Sequence, residues 1–250
     1  MVWSWANATC RGTSHVRDNL PCQDSVRCIV AGRSNDVIIA VISDGAGSAK
    51  FAKQGSTITC RTISEAARNH FKSTSSPPTD EDIWGWVDQA REIISLSAER
   101  MVASRRDFSA TLVAVIASDT ETITLHIGDG AAVCNFDGQW TVPSWPAQGE
   151  YASTTFFVTD DPAPELRITR LPIRANALAL FSDGIERLVL RFADETVSAS
   201  FFDKLCTTVR SRGRAGASDN LNAALRRYLD GPAINERTDD DKSLIVAVRL

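Results

Sequence analysis

The chain has 250 residues, of which 43% are hydrophobic and 23% are charged, and its formal net charge at pH 7 is −4. This length fits one large or two small domains with a sizeable core, and the acidic balance argues against a nucleic-acid-binding protein. Residues 1–12 lack the basic start and the apolar stretch of a signal peptide, and no run approaches the roughly 18 apolar residues of a membrane span. We therefore expect a soluble, cytoplasmic protein without a nucleic-acid or membrane partner.

The first third of the chain predicts three strands and then two helices. The strands are expected at residues 2–8, 25–31 and 37–43, and the first helix at about 52–71. A polar loop at 73–79 follows, after which Asp80 is expected to cap the second helix. The apolar residues of that helix recur at three- and four-residue steps and are Ile83, Trp86, Val87, Ala90, Ile94 and Met101. Such spacing makes one apolar face, which we expect to pack in the core.

The remainder of the chain is rich in strands before it returns to helices. Strands are predicted at residues 110–117, 122–127, 131–136, 140–142, 177–181 and 243–250, and helices at 197–210 and 218–229. Asp137 and Gly138 form a hairpin-turn signal between two of the strands. Residues 143–165 contain four prolines and indicate a long loop, in which 154–159 is a candidate strand. This order predicts an α+β fold with two sheets covered by helices.

Aspartates in four separate motifs are the most informative feature of the sequence. Asp44 and Asp183 each follow an apolar run in a Ser-Asp-Gly motif, and Asp24 ends a Pro-Cys-Gln-Asp motif. The fourth is one of three consecutive residues before the last strand, Asp239, Asp240 and Asp241. Glycine lets the chain turn just past a strand end, so each motif projects a carboxylate from the rim of a sheet. Crowded carboxylates repel one another unless a hard cation such as Mg²⁺ or Mn²⁺ neutralises them, which predicts a metal-dependent hydrolase.

The order of these motifs resembles that of the PP2C-type (PPM) serine/threonine protein phosphatases, particularly their divergent bacterial members, over residues 12–250. The resemblance is carried by Gln23-Asp24, Asp44-Gly45-Ala46-Gly47, Asp107-Phe108-Ser109-Ala110-Thr111-Leu112, Gly128-Asp129-Gly130, Ser182-Asp183-Gly184 and Asp240-Asp241-Lys242-Ser243. It implies a single domain, 1–250, with the PP2C-like four-layer α-β-β-α sandwich of two antiparallel sheets flanked by helix pairs. The loop at 143–165 corresponds to the variable flap beside the active site.

The resemblance also implies a cofactor and a set of site residues. The cofactor would be two Mg²⁺ or Mn²⁺ ions, with a third that binds more weakly. The residues implied to hold the ions are Asp44 as the bridge between two of them, the Gly45 carbonyl, Asp183 and Asp240 at one ion, Gln23 or Asp24 at the other, and Asp107 at the third.

One departure from the family concerns the substrate phosphate. The family usually has an arginine four residues before the Glu or Gln of the first motif, and Asn19 stands there in this chain. Arg17 and His15 are the candidate replacements. The planar fork of Arg17 suits phosphate oxygens, whereas His15 would protonate the leaving alkoxide. A second departure is Glu186-Arg187, where the family often has an acidic residue after the Ser-Asp-Gly aspartate.

Two further residues have a structural and a functional interpretation. Asp129 would orient a metal-bound water or would cap a turn, and the sequence does not favour either role. His126 lies in a predicted strand just before the Gly-Asp-Gly motif, where a lone histidine is more often a satisfied core residue than a ligand. We expect His126 to be structural.

The implied activity is hydrolysis of phosphoserine and phosphothreonine in proteins by a water activated at two metal ions. Phosphate monoesters hydrolyse extremely slowly without such help. The implied partners are a phosphoprotein substrate and a serine/threonine kinase. Two alternatives remain open: a pseudophosphatase that binds a phosphoprotein or kinase without turnover, and a hydrolase of small phosphate esters.

Overall fold

The computed structural model describes residues 2–146 and 155–250. Its strands are β1 (Trp3–Cys10), β2 (Ser25–Ala31), β3 (Val37–Ser43), β4 (Leu112–Ala117), β5 (Thr122–Ile127), β6 (Ala131–Phe136), β7 (Gln139–Thr141), β8 (Arg167–Leu171), β9 (Ala177–Phe181), β10 (Leu190–Arg191), β11 (Thr196–Val197), β12 (Gly216–Ala217) and β13 (Lys242–Arg249). Its helices are α1 (Thr13–Arg17), α2 (Ala52–Ser73), α3 (Asp80–Arg100), α4 (Asp183–Val189), α5 (Ala199–Ser211), α6 (Asp219–Leu229) and α7 (Pro232–Asn235), with a 3-10 turn at Arg105–Phe108. None of the helices in the described part of the chain is both long and apolar enough to cross a bilayer.

The strands form two large sheets and one short hairpin. One sheet has the order β12-β1-β13-β9-β6-β7 and the other has the order β2-β3-β4-β5-β8, while β10 pairs only with β11. Every pairing is antiparallel except the short edge pairing of β12 with β1, which is parallel. The expected pair of antiparallel sheets is therefore confirmed, with one short parallel strand added at an edge.

The side chains of β3 show how the four layers are arranged. Ile38, Ala40 and Ile42 lie in the core between the two sheets, whereas Ile39 and Val41 pack in the core beneath α2 and α3. A strand with both faces buried has no polar alternation, which explains the continuous apolar run in the sequence. On the far side, α5 and α6 cover the outer face of the six-stranded sheet. The predicted α-β-β-α sandwich is confirmed.

The predicted elements named above begin and end within two residues of the observed ones, apart from the cap of α3 and the candidate strand at 154–159. Thr79, not Asp80, is the N-cap of α3. Its hydroxyl accepts the N–H of Asp82 at 3.1 Å, and the Asp82 carboxylate accepts the N–H of Thr79 at 2.8 Å. This reciprocal pair satisfies two backbone groups at the helix start.

Residues 155–159 do not form the candidate strand that the sequence indicated, and residue 154 of that segment lies outside the described residues. The backbone is held instead by a side chain of α3. Arg91, which is 8% exposed, donates from Nη1 to the carbonyl oxygens of Val158 at 2.6 Å and Asp160 at 2.7 Å, and from Nη2 to that of Pro162 at 3.3 Å. The N–H of Val158 donates to the Ala110 carbonyl at 2.9 Å, and that of Phe157 donates to Asp160 Oδ2 at 2.8 Å. These backbone groups are therefore paired without a strand ladder.

Candidate metal centre and active site

One edge of the sandwich collects the aspartates of the separate motifs. Asp44, Asp129 and Asp183 follow the ends of β3, β5 and β9, while Asp24 and Asp240 precede β2 and β13. In an antiparallel pair the end of one strand lies beside the start of its neighbour. The first residue of β2 is opposite the last residue of β3, and β13 begins beside the end of β9. Residues far apart in the sequence are thereby brought to the same rim.

Three of these carboxylates are in reach of one common ion. One oxygen of Asp44, one of Asp129 and one of Asp183 all lie within 4.8 Å of one another. They line a cavity of about 320 Å³. Gln23, Gly45, Asp240 and His15 also line this cavity. The structure therefore brings most of the predicted site residues together.

Two glycines allow the backbone to approach closely at this rim. A Cβ on Gly45 would lie 2.6 Å from the carbonyl oxygen of Ala52. Gly128, just before Asp129, has a φ of +93°, and a Cβ there would lie 2.6 Å from the carbonyl oxygen of Phe156. Side chains larger than hydrogen at these positions would require the surrounding backbone to move.

Asp24 lies buried behind Asp44 and joins the two sheets. Its Oδ2 accepts the hydroxyl of Ser182 at 2.8 Å, and that hydroxyl in turn accepts the N–H of Ser243 at 3.0 Å. Its Oδ1 is buried without a hydrogen-bond partner among the described residues. Burial raises the pKa of Asp24 to about 6. The carboxylate thus holds the strand ends in register and keeps one oxygen available.

The crowded carboxylates have raised pKa values. Burial, with the neighbouring charges of Asp24 and Asp183, raises the pKa of Asp44 well above its usual range. Burial, followed by the charges of Asp129 and Asp240, raises the pKa of Asp183 to about 7. Burial also raises the pKa of Asp129. A divalent cation would reverse these shifts because it favours the charged form of each group.

Oxygen acceptors without partners show that the site suits a hard cation. Among the described residues, Gln23 Oε1, Asp24 Oδ1 and Asp183 Oδ1 are buried and have no hydrogen-bond partner. Each such acceptor costs about 1–3 kcal/mol when it is left unsatisfied. Mg²⁺ and Mn²⁺ bind carboxylate and carbonyl oxygens of this kind. The residues present therefore fit the predicted metal ions.

The three consecutive aspartates before β13 have different surroundings. Asp240 lines the cavity. Asp241 is 1% exposed and accepts the backbone N–H of Gly12 at 2.6 Å and that of Gln23 at 2.5 Å. Its Oδ2 also lies 2.9 Å from Nδ1 of His15. Asp241 therefore fixes the segment between β1 and β2 and places His15 at the cavity.

The two candidate phosphate-binding residues differ in position. His15 lines the cavity, with a side chain that is 12% exposed. The side chain of Arg17 is 70% exposed, and its Nε pairs with Asp18 Oδ1 at 3.2 Å. Arg17 is absent from the lining of the cavity within residues 2–146 and 155–250. The structure brings His15, and not Arg17, to the carboxylate cluster.

Asp107 also lies away from the cluster. Its Oδ2 accepts the backbone N–H and the hydroxyl of Ser104, both at 2.8 Å, and so caps the 3-10 turn. These hydrogen bonds lower the pKa of Asp107. Asp107 does not line the cavity within the described segments, and the carboxylate that the resemblance assigned to a third ion here stabilises local structure.

The sequence left the role of Asp129 undecided and gave no role at the site to Glu186. Asp129, whose role was left open, is one of the three clustered carboxylates, and its Oδ2 accepts the hydroxyl of Thr155 at 2.8 Å. Burial, followed by the charge of Asp129, raises the pKa of Glu186 to about 7. The Gly128-Asp129-Gly130 motif was the available signal for Asp129, and Glu186 lies three residues after Asp183, on the same face of α4.

Comparisons with known proteins agree with this geometry. The family model described as protein phosphatase 2C matches residues 11–230. The chain is 32% identical, over 259 aligned residues covering 99% of both chains, to serine/threonine-protein phosphatase 3 of Escherichia coli (strain K12). The fold is similar to that of the serine/threonine phosphatase Stp1 from Staphylococcus aureus, with 16% identity, a TM-score of 0.63, and coverage of 100% of this chain and 96% of that one. It is also similar to the catalytic domain of the serine/threonine protein phosphatase PstP in complex with two manganese ions, with 17% identity, a TM-score of 0.62, and coverage of 99% and 98%. The chain belongs to the protein phosphatase 2C family.

Proposed function

We propose that this protein is a metal-dependent serine/threonine phosphatase that hydrolyses phosphoserine and phosphothreonine in proteins. The observation that carries the proposal is the cluster of Asp44, Asp129 and Asp183 at an open cavity whose wall holds unpaired oxygen acceptors. Membership of the family supports the reaction, and the names of the E. coli relative and of the manganese complex support the substrate class and the cofactor.

The residues proposed to hold the cofactor are those at the rim of the two sheets. They are Asp44, the Gly45 carbonyl, Asp183, Asp240, Asp129, and Gln23 or Asp24 through water. Two bound Mg²⁺ or Mn²⁺ ions would neutralise charge on the phosphoryl oxygens and lower the pKa of a bound water towards about 7. Asp107 would meet a third ion only if its cap on Ser104 opened.

His15 is proposed to hold a proton for the leaving alkoxide. Its Nδ1 lies 2.9 Å from Oδ2 of the buried Asp241, which places the imidazole ring at the cavity. Arg17 would reach a bound phosphate only if α1 moved, because its side chain now lies in solvent beside Asp18. Of the two candidates, His15 is therefore the one with a direct role in the present geometry.

The loop at 143–165 is proposed to choose the substrate, within a single catalytic domain that spans 1–250. Two of its described residues support this: Thr155 donates to Asp129, and Phe157 lines the cavity beside the carboxylates. Arg91 of α3 fixes the carbonyls that follow. The proposal also includes a cytoplasmic location and a partner serine/threonine kinase, which adds the phosphate that this enzyme removes.

The proposal is tested by phosphate release from a phosphothreonine peptide in Mn²⁺, in Mg²⁺ and in EDTA. We expect turnover with either metal, no turnover in EDTA, and a loss of roughly 10³-fold or more in Asp44→Asn. Asp88→Asn, an exposed position on α3, is the matched control and should keep full activity. Folded protein without turnover in either metal would instead favour a pseudophosphatase. Turnover of para-nitrophenyl phosphate alone would favour a hydrolase of small esters.

A further inference from the structure

A second cavity, of about 270 Å³, lies where α2 packs against the start of β2. Its lining includes three cationic side chains, Arg27, Lys53 and Arg61, three hydroxyl side chains, Thr9, Ser25 and Thr57, and one acidic residue, Asp24. The segment Gln23-Asp24 separates it from the metal centre, because Gln23 lines the first cavity and Asp24 lines the second. We refer to this second cavity as the basic cavity.

Among the residues that the structure describes, the cationic side chains of the basic cavity outnumber the carboxylates paired with them. Arg27 Nη2 lies 3.7 Å and Arg61 Nε lies 3.2 Å from the same oxygen of Glu65, so the two arginines share one carboxylate. Lys53 Nζ donates to a neutral acceptor, the carbonyl oxygen of Asp24, at 2.6 Å. The Asp24 carboxylate turns the other way, towards Ser182. The lining therefore keeps a surplus of positive charge.

One donor at the basic cavity also lacks a hydrogen-bond acceptor among the described residues. Nε of Arg27 is buried and has no hydrogen-bond partner among the described residues. Buried polar groups are nearly always paired in native proteins, so an unpaired guanidinium N–H beside a cavity indicates a missing partner. The hydroxyl of Thr57 donates to the Lys53 carbonyl oxygen at 2.7 Å, and that of Ser25 bonds to its hydroxyl neighbours at 3.1 Å, so the cationic side chains are the donors that an occupant would meet. An occupant with acceptor oxygens and negative charge would complement them.

We propose that the basic cavity binds a phosphate-class oxyanion at a site separate from the metal centre. The arginine fork matches the oxygens of a tetrahedral oxyanion, and lysine adds a compact positive charge. Inorganic phosphate and a phosphorylated residue of a peptide share this chemistry. Because Lys53 also holds the backbone of Asp24, the occupant contacts a side chain that supports the wall between the two cavities.

The test is a titration of the full-length protein with inorganic phosphate, kept metal-free by EDTA and followed by calorimetry. We expect saturable binding of one phosphate, equal in wild type and Asp44→Asn, and weakened by added salt. Arg27→Met and Lys53→Met should each lower the affinity at least tenfold. Lys72→Met, an exposed lysine in the last turn of the same helix, makes the same charge change and should leave the affinity unaltered.

Two results would overturn the proposal: no saturable binding up to about 50 mM phosphate, far above the ~1 mM range of weak sites, or wild-type affinity in Arg27→Met. The Arg27 variant is decisive because Lys53 also supports Asp24, and circular dichroism verifies that each variant is folded. A phosphothreonine peptide and its unphosphorylated form serve as second arms, and tighter binding of the phosphopeptide than of phosphate would make a peptide the source. No metal or turnover enters the experiment, so its failure leaves the proposed phosphatase activity untouched.

Discussion

The two ends of the sandwich differ in whether their buried charged groups have hydrogen-bond partners among the described residues. At the end away from the metal centre, Arg249 is only 7% exposed. Each nitrogen of its guanidinium group nevertheless has a hydrogen-bond acceptor. Nε donates to the Ala175 carbonyl at 2.9 Å, Nη1 to Asp119 Oδ1 at 2.6 Å, and Nη2 to the Ser118 carbonyl. The guanidinium carbon lies 4.5 Å from the centre of the Trp3 ring. Each nitrogen of this buried guanidinium group therefore has an acceptor inside the chain.

The metal-centre end has charge without such partners. Asp44, Asp129 and Asp183 lie within one ion's reach, and oxygens of Gln23 and Asp24 have no hydrogen-bond donor within the described residues. A buried charge persists in a fold only when it is paired or coordinated. Arg249 therefore belongs to a closed structural network, whereas the carboxylate cluster is an open site that needs a ligand from outside the chain.

Arg249→Met breaks the closed end and should have the largest effect on stability. Removing the guanidinium group leaves the carbonyl oxygens of Ala175 and Ser118 without their donor, at a cost of about 1–3 kcal/mol each, whereas Asp119, whose side chain is 48% exposed, is hydrated instead. The free energy of unfolding is measured in urea, and turnover per folded molecule should stay within about twofold of wild type because the metal centre lies at the other end. Arg227→Met, an exposed position on α6, is the control. An equal, small effect of both substitutions would contradict a structural role for Arg249.

Asp183→Asn tests the open end through the pH dependence of stability in EDTA. The folded pKa of Asp183 is raised to about 7, above an unfolded value of about 3.9, so the folded state binds more protons between these pH values. Stability from this group is therefore present at low pH and is lost as the pH rises from about 4 to about 7, by at most about 1.4 kcal/mol per pH unit. The variant does not lose stability in this way, so its free energy of unfolding should rise relative to that of wild type from about pH 4 to about pH 7.

The comparison of Asp183→Asn with wild type cancels titrating groups that lie outside the carboxylate cluster, such as His126. Burial, followed by the charge of Arg167, lowers the pKa of His126 to about 3, which has the opposite sign: stability is lost as the pH falls from about 6.5 towards 3. That contribution is present in both proteins. If the difference in unfolding free energy were constant between pH 4 and pH 7, the raised pKa of Asp183 would be wrong.

His15→Gln tests the role of His15 at the open end and should have a smaller effect on turnover than Asp44→Asn. If His15 supplies the proton to the leaving group, turnover of a phosphothreonine peptide should fall about 10²-fold, within the usual range for general acid catalysis. Turnover of para-nitrophenyl phosphate, whose leaving group needs no proton, should fall only a few fold. Arg17→Gln is the matched control and should change neither substrate greatly. Equal losses on both substrates would assign His15 to binding alone.

The predicted site residues that the structure brings to one rim have two origins. Asp44 and Asp183 follow long apolar strands, and Asp24 and the three aspartates at 239–241 stand just before predicted strands, so a rim position follows from local pattern. Gln23, and the choice of Asp240 among the three, were implied by the family resemblance. The burial on both faces of β3 explains why such runs are easy to recognise. The α-β-β-α order of layers was implied by the family resemblance and by the order of the elements.

The remaining features depend on contacts between distant segments. Asp107 was assigned to an ion, but the nearby Ser104 captures its carboxylate. Asp129 was undecided because only the meeting of strand ends from both sheets distinguishes a ligand from a turn cap. Strand β8 was not predicted, since Arg167 and Arg170 give it a loop-like pattern. Both arginines bind remote partners: Arg167 donates to the carbonyl oxygen of Trp145, and Arg170 donates to the carboxylate of Asp80.

A divalent cation completes the carboxylate end of the sandwich, and thermal unfolding at pH 8 measures its contribution. Wild type and Asp44→Asn are compared in EDTA and in Mn²⁺. The account predicts that Mn²⁺ raises the Tm of wild type, that Asp44→Asn in EDTA unfolds at a higher temperature than metal-free wild type, and that Mn²⁺ adds little to the variant. An equal rise in Tm for both proteins, or a metal-free variant less stable than wild type, would contradict it.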